Sequence, residues 1–480
     1  MASRDNVKCH PSWTQTGPST YSQPYGFQEV LYNAISVTPG SPGLFLIATS
    51  ATFRYIPSSP DQRVSSHDLV PRLRDAWIQL RQKYPGLAAE NRPDGKFYKS
   101  PSSPSDLKDW LDTTFIVTRG KTSAEHWKTM VKARQMTLNY FPEEGQLFIQ
   151  GEHHILDGRG VMNIWDPLAS PTTEALMRAD GSEVARLPPR SDDLLNMAEK
   201  EPGRGEQRAQ EILAPLASIQ KPIFIPVTQP LPVCSLRNSV LELKASPRIT
   251  ESIISECKAQ HLSVTASWHA AVVLATQSVQ RQRNLATGAE VGTEFATFGN
   301  FDLRRYFPSP DAASPPDAYA LGNHHCVLPY VMAPDDKTFA QISKELASYY
   351  QQDLPKADPE IWSAMGPMIR AVLPDFVRPQ LEETTPAVSS FGVVDNFISS
   401  SYTDVDGKGA WRIDDVWFGD TVHGPWLECF LWSWKGRLSL NTCYNSAYYN
   451  HAEVDDFNQL VLDKMLEGLG IGVRGQAPKL

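Results

Sequence analysis

Gly151-Glu152-His153-His154-Ile155-Leu156-Asp157-Gly158 is the stretch on which the reading of this chain turns. It leaves an apolar segment predicted as a strand from Gln146 to about Glu152, with Leu147 and Ile149 on the face where His153 emerges. It then enters a glycine-rich turn, Gly158-Arg159-Gly160, ahead of a short helix expected over 161–165. A histidine at a strand end suits general-base chemistry, because an imidazole titrating near 6.5 can take a proton at neutral pH. Asp157 could orient that imidazole, or it could pair elsewhere and hold the loop. Gly158 is expected to allow a sharp turn that a Cβ would resist. His154 falls on the opposite face by alternation and reads as structural, while staying a possible channel or substrate residue. The bare His-x-x-x-Asp spacing is a weak signal in a chain with 11 histidines. A following glycine and a preceding strand make it informative.

Working outward, Leu69, Leu73, Trp77, Leu80 and Tyr84 recur at three- and four-residue steps and predict an amphipathic helix. Pro71 fits only its first turn, and Pro85-Gly86 ends it. From about Arg186 to Cys234 the prolines are too dense for central strands, which predicts an extended crossover. Beyond it, Val240 to Leu243 reads as a strand. Ser246 then caps a helix with Pro247 in its first position and Ile249, Ile253 and Cys257 on its buried face. A further helix begins near Thr265, and Leu438, Leu440 and Cys443 form a strand ahead of a helix from Val454 to Leu466. Alternating strands and helices predict α/β layers.

A length of 480 residues exceeds what one core serves, so two lobes are expected. They are placed at 1–195 and 235–480, joined by a Pro-rich crossover at 196–234. A net charge of −9 argues against bulk attraction to nucleic acid or anionic lipid. Six scattered cysteines have no metal-like spacing and read as reduced, mostly buried thiols of an intracellular protein, so no metal is expected. The first twelve residues lack the apolar run of a signal peptide, and no stretch is long and apolar enough to span a bilayer. The cytoplasm is the expected compartment. Pro478-Lys479-Leu480 is a poor match to a peroxisomal Ser-Lys-Leu ending.

His153-x-x-x-Asp157-Gly158 resembles the HxxxDG signature of a broad acyltransferase superfamily. That superfamily includes plant BAHD acyltransferases, condensation domains of peptide synthetases, chloramphenicol acetyltransferase and fungal trichothecene O-acetyltransferases. Further segments are similar and in the same order: Tyr84-Pro85-Gly86-Leu87, then Phe301-Asp302-Leu303-Arg304-Arg305. Tyr319-Ala320-Leu321-Gly322-Asn323 and Ser389-Ser390-Phe391-Gly392-Val393 follow. The plant D-F-G-W-G motif is replaced by Asp415-Val416-Trp417-Phe418-Gly419, which makes the chain look closer to fungal trichothecene 15-O-acetyltransferase-like enzymes or condensation domains.

The resemblance implies an α/β fold of two chloramphenicol-acetyltransferase-like lobes with a central channel. It implies acyl transfer from acyl-CoA, acetyl-CoA foremost, to a small-molecule hydroxyl, with His153 as base. Asp157 would pair with Arg304 as a structural link beside Gly158. Asn323, Ser389, Ser390 and Trp417 would be channel or substrate residues. His324 and His325 read as core or channel lining, His269 as a core residue and His423 as a turn residue. The aromatic run at Trp426, Phe430, Trp432 and Trp434 reads as core. Two other readings keep the same fold: a condensation-type synthase using a carrier protein in trans, and a metabolite-binding protein or cyclase. A channel between lobes needs no second subunit, so a monomer is expected.

Overall fold

The strand that delivers His153 runs Gln146–Glu152 and lies inside a six-stranded sheet. A computed structural model describes residues 10–37, 45–59, 66–170, 179–197, 203–227, 237–310, 317–377, 385–403, 407, 409–422 and 424–472. The sheet order is Ser401–Thr403, Gly409–Asp420, Leu46–Pro57, Gln146–Glu152, Thr137–Phe141 and Phe115–Val117. All neighbours are antiparallel except the last two, which are parallel. Leu46 pairs with Glu152 and Ile47 with Asp420, so Glu152 and Asp420 end their strands on opposite edges of Leu46–Pro57, at its N-terminal end. Residues 147–152 are all buried, polar Gln150 and Glu152 included.

The predicted helix spans Ser66–Lys83 and buries Leu73, Trp77 and Leu80. It begins earlier than its apolar repeat, so Pro71 lies inside the helix and not in its first turn. Each proline so placed removes one intrahelical hydrogen bond. The crossover is also corrected. It carries a helix, Arg204–Ala217, and the only proline inside that helix, Pro215, lies in its last turn.

The chain divides into two compact units. The first holds Met1–Met197, Asp302–Cys326 and Val394–Thr421; the second holds Ala198–Phe301, Val327–Val393 and Val422–Leu480. The second half of the chain is thus not one contiguous unit. Gly409–Asp420 forms a ladder with Leu46–Pro57 along nearly its whole length, a pairing between distant segments that local periodicity cannot reveal.

In the second unit a four-stranded sheet has the order Ala387–Val393, Leu427–Trp434, Arg437–Asn445, Asn238–Lys244, and only its first pair is parallel. Leu241, Leu431 and Leu440 bury against Ile253 of Pro247–Ala259, Val272 of Val264–Thr287 and Val461 of His451–Gly468. Ser246 caps the first of these helices by accepting from the Ile249 amide at 3.3 Å. Ser263 caps the second by accepting from the Ala266 amide at 3.1 Å. Both units are layers of helix on sheet, an α/β architecture. Cys257, Cys326, Cys429 and Cys443 are buried free thiols. Cys9, Cys234, His423 and Pro478-Lys479-Leu480 lie outside the described residues. Among the described residues no helix is long and apolar enough to cross a membrane.

Gly151, two residues before His153, has no room for a side chain, because a Cβ there would lie 1.9 Å from Met136 Sδ. Gly151→Ala is therefore expected to cost about 1–3 kcal/mol by overpacking. Denaturant unfolding measures it, and unchanged stability would mean that Met136 yields freely.

Candidate active site

The loop after Gln146–Glu152 is held by backbone contacts before any side-chain chemistry is considered. The His153 amide donates to the Phe45 carbonyl at 3.2 Å, and the His153 carbonyl accepts from Asn323 Nδ2 at 2.8 Å. Phe45 itself adopts a left-handed backbone, φ 49°, which a non-glycine residue keeps only when its surroundings demand it. Its amide donates to the Thr421 carbonyl at 3.1 Å, so the strand ending at Asp420 braces the loop.

Asp157 hydrogen-bonds to groups other than the His153 imidazole. Its Oδ2 accepts from Arg304 Nη1 at 2.8 Å and its Oδ1 from Arg304 Nη2 at 3.0 Å, a two-pronged ion pair. Oδ1 also accepts from the Gly160 amide at 2.7 Å, and Oδ2 from the His324 amide at 2.7 Å. Four bonds use the carboxylate fully. Burial alone would raise its pKa, but the charge and hydrogen bonds of Arg304 outweigh burial and hold it well below the usual carboxylate range. Arg304 also donates to the carbonyls of Tyr319 at 2.7 Å and of Ala320 and Gly322 at 3.3 Å. Asp302 accepts from Arg304 at 3.1 Å and lies 3.3 Å from Arg159 Nε, so it links both arginines.

Because Asp157 caps a helix over Gly158–Asn163, the expected glycine-rich turn is itself helical. Gly158 is the first helical residue and has no positive φ, so it does not supply the sharp turn expected of it.

His153 is 7% exposed. Its Nδ1 is buried without a hydrogen-bond partner on another residue, and its Nε2 lies 3.9 Å from Asp420 Oδ2, too far for a hydrogen bond. Burial, and then the neighbouring His325, push its pKa from 6.5 down to about 3. The imidazole is therefore neutral at physiological pH and able to accept a proton.

No family model matches the chain. Acetyltransferase pigO of Monascus ruber is 24% identical over 470 residues, covering 96% of this chain and 98% of that protein. The structure of TRI3 trichothecene 15-O-acetyltransferase from Fusarium sporotrichioides matches with a TM-score of 0.76 at 16% identity, covering 95% of this chain and 98% of that one. The first condensation domain of the calcium-dependent antibiotic synthetase matches at 0.60 and 13% identity, covering 93% and 95%. The chain is similar to fungal acetyltransferases, and its fold is that of the trichothecene acetyltransferase and of condensation domains. It is an acyltransferase with the fold that condensation domains share.

The remaining residues singled out in the acyltransferase sequence are spread over both units. His154 is 1% exposed with neither ring nitrogen bonded, and it lies against the Tyr25 ring at 5.2 Å. Burial, then Lys132, His153 and Lys96, hold its pKa well below 6.5. Asn323 reaches the site through its bond to the His153 carbonyl. Trp417 packs on Trp127 at 4.9 Å and Phe148 at 6.2 Å. Ser389 is half-buried and Ser390 exposed on a strand of the second unit, where the Ser390 hydroxyl meets that of Thr265 at 2.9 Å. His269 is buried there too, with its Nδ1 3.0 Å from the Tyr350 hydroxyl. His324 and His325 are both buried: His324 Nδ1 meets Ser191 Oγ at 3.0 Å, and His325 Nε2 meets the Tyr32 hydroxyl at 2.9 Å. Tyr32, Phe45 and Asp420 were not legible as site residues. Asp420 directly follows the Asp415–Gly419 motif, the one signal available for it.

Two outcomes follow for the acyltransferase. Asp157→Asn leaves Arg304 buried opposite a neutral amide and should cost about 3–5 kcal/mol of stability, harming the fold more than turnover. Full wild-type stability with complete loss of turnover would overturn that assignment. The second concerns acid. His153, His154, His324 and His325 all have lowered pKa values, with burial the largest cause. The unfolded chain binds protons at these groups below about 6.5 while the folded chain does not, so stability falls as pH drops from there toward the folded values. The slope is about 1.4 kcal/mol per pH unit for each group fully engaged. Thermal melts from pH 8 to 5 should show a steep decline below 6.5, and a flat profile would contradict it.

Proposed function

We propose that this acyltransferase moves an acyl group, acetyl first among the choices, from acyl-CoA to a hydroxyl of a secondary metabolite, with His153 as general base. The observation that carries the reading is a neutral, buried imidazole with no carboxylate hydrogen-bonded to its ring, beside an aspartate wholly used by other partners. The acceptor hydroxyl hydrogen-bonds to the imidazole and gives it the proton as oxygen attacks the thioester carbonyl. A carbon–oxygen bond forms, the carbonyl oxygen becomes an oxyanion, and collapse breaks the carbon–sulfur bond. The imidazolium returns its proton to the departing thiolate, so His153 ends as it began. A low imidazole pKa makes the resting base weak, but burial also strengthens its attraction to a developing negative charge. The fungal acetyltransferase and the trichothecene O-acetyltransferase support acetyl transfer to oxygen. In this reading the enzyme works as a cytoplasmic monomer.

Free-thiol release from acetyl-CoA, measured with a panel of polyhydroxylated fungal-type metabolites, tests the proposal. Wild type should release thiol only with an acceptor present, and folded His153→Ala should lose the reaction by at least about a hundredfold. A folded His153→Ala variant with wild-type rates would refute the base. Turnover with carrier-bound acyl groups but never with acyl-CoA would transfer the reading to a condensation-type synthase, in keeping with the condensation-domain likeness.

A further inference from the structure

His153 Nε2 and Asp420 Oδ2 stand 3.9 Å apart, on side chains only 9% and 8% exposed. That spacing is too long for a hydrogen bond between them, and short enough for one bound molecule to touch both.

Backbone bonds fix both residues from one short stretch, Phe45–Ile47. Asp420 ends the strand Gly409–Asp420 and pairs with Ile47. Behind it, the Thr421 amide donates to the Leu46 carbonyl at 3.1 Å, and Thr421 Oγ1 accepts from the Leu46 amide at 2.9 Å. The His153 amide donates to the Phe45 carbonyl at 3.2 Å. The imidazole also hydrogen-bonds to the backbone of His153 itself, and the Tyr32 ring covers one of its faces with centroids 4.1 Å apart. An acceptor therefore meets the base at Nε2, in the ring plane and beside Asp420.

An attacking hydroxyl has one proton, and that proton is committed to the base. A second hydrogen-bond acceptor at the same place then faces an oxygen lone pair, unless the incoming molecule brings a second donor. Hydroxyls on neighbouring carbons, held gauche, lie about one hydrogen-bond length apart. Two hydrogen bonds from such a pair run almost side by side to acceptors 3.9 Å apart.

We propose that Asp420 determines the acceptor specificity of this site, by accepting a hydrogen bond from the hydroxyl next to the one that is acylated. The preferred acceptor is therefore a vicinal diol. This assignment rests on the reading of His153 as the base. One hydroxyl gives its proton to Nε2 and forms the new carbon–oxygen bond, while its neighbour keeps its proton and donates to Asp420 throughout.

The test is thiol release from acetyl-CoA by full-length wild type, Asp420→Ala and Asp420→Asn. The acceptors are trans-cyclohexane-1,2-diol, its monomethyl ether and cyclohexanol, together with each active metabolite of the panel against its derivative lacking the neighbouring hydroxyl. Wild type should favour the diol over the mono-ol by about ten- to a hundredfold in kcat/KM, the worth of a hydrogen bond to a carboxylate. Asp420→Ala should bring the diol down to the mono-ol and leave the mono-ol unchanged or faster. Asp420→Asn, which keeps the size and one accepting oxygen, should retain part of the preference, and it decides the matter if Asp420→Ala does not fold. A carboxylate that only braced the loop or steadied the imidazolium would act on both acceptors alike. An undiminished diol preference in folded Asp420→Ala therefore overturns the proposal, as does a wild type without that preference. Acetylation of cyclohexylamine that depends on Asp420, with no advantage for the diol, would put the second donor on the attacking nitrogen and overturn it too. If His153→Ala stays active, or wild type is inert toward every acceptor, the acyl-transfer reading itself falls. If His153→Ala is inactive while the diol preference ignores Asp420, only the role of Asp420 falls.

Discussion

The ion pair between Asp157 and Arg304 is the constraint on which the geometry of the first unit hangs. Its carboxylate closes the loop after His153, starts the following helix and grips the His324 backbone. Its guanidinium gathers three carbonyls of residues 319–322. A buried ion pair commonly adds little net stability against an apolar substitute, because desolvation consumes the attraction. What this pair adds is position. It ties Asp302–Cys326 to the 153–158 loop, and that segment also supplies Asn323 for the His153 carbonyl and His325 for the Tyr32 hydroxyl.

A second theme is the use of burial in place of hydrogen bonding. Four neighbouring histidines, 153, 154, 324 and 325, are each less than a tenth exposed, and each keeps at least one ring nitrogen unbonded. Charging any of them would require a desolvated cation, so they remain neutral. Mutual repulsion among imidazolium ions reinforces that choice, as His325 does for His153. Neutrality at physiological pH thus comes at the expense of tolerance to acid.

Features written in a few consecutive residues were legible in the sequence: the strand before His153, the Ser246 cap with Pro247 behind it, and the HxxxDG spacing. Each depends on contacts within about one turn or strand. Errors arose where a local preference met a distant partner. Gly158 looked like a turn residue until Asp157, fixed by Arg304 from 147 residues away, capped a helix over it. Pro71 looked like a first-turn residue, yet the helix starts five residues before it. Tyr32 carries no signal at all, since a tyrosine on an amphipathic helix reads as core, and only the folded chain brings its ring onto His153. Asp420 was similarly hidden, because its neighbourhood is set by strand pairing with Ile47.

That pairing has a consequence during synthesis. Leu46–Pro57 leaves the ribosome well before its partner Gly409–Asp420 is made. At roughly 5–20 residues per second, tens of seconds separate the two. Through that interval one edge of a long, largely apolar strand has no partner, which is the condition that invites association with other nascent chains. Chaperone capture of this strand is therefore a foreseeable need of the newborn chain, and yield in a foreign host should depend on translation speed more than on the stability of the finished protein.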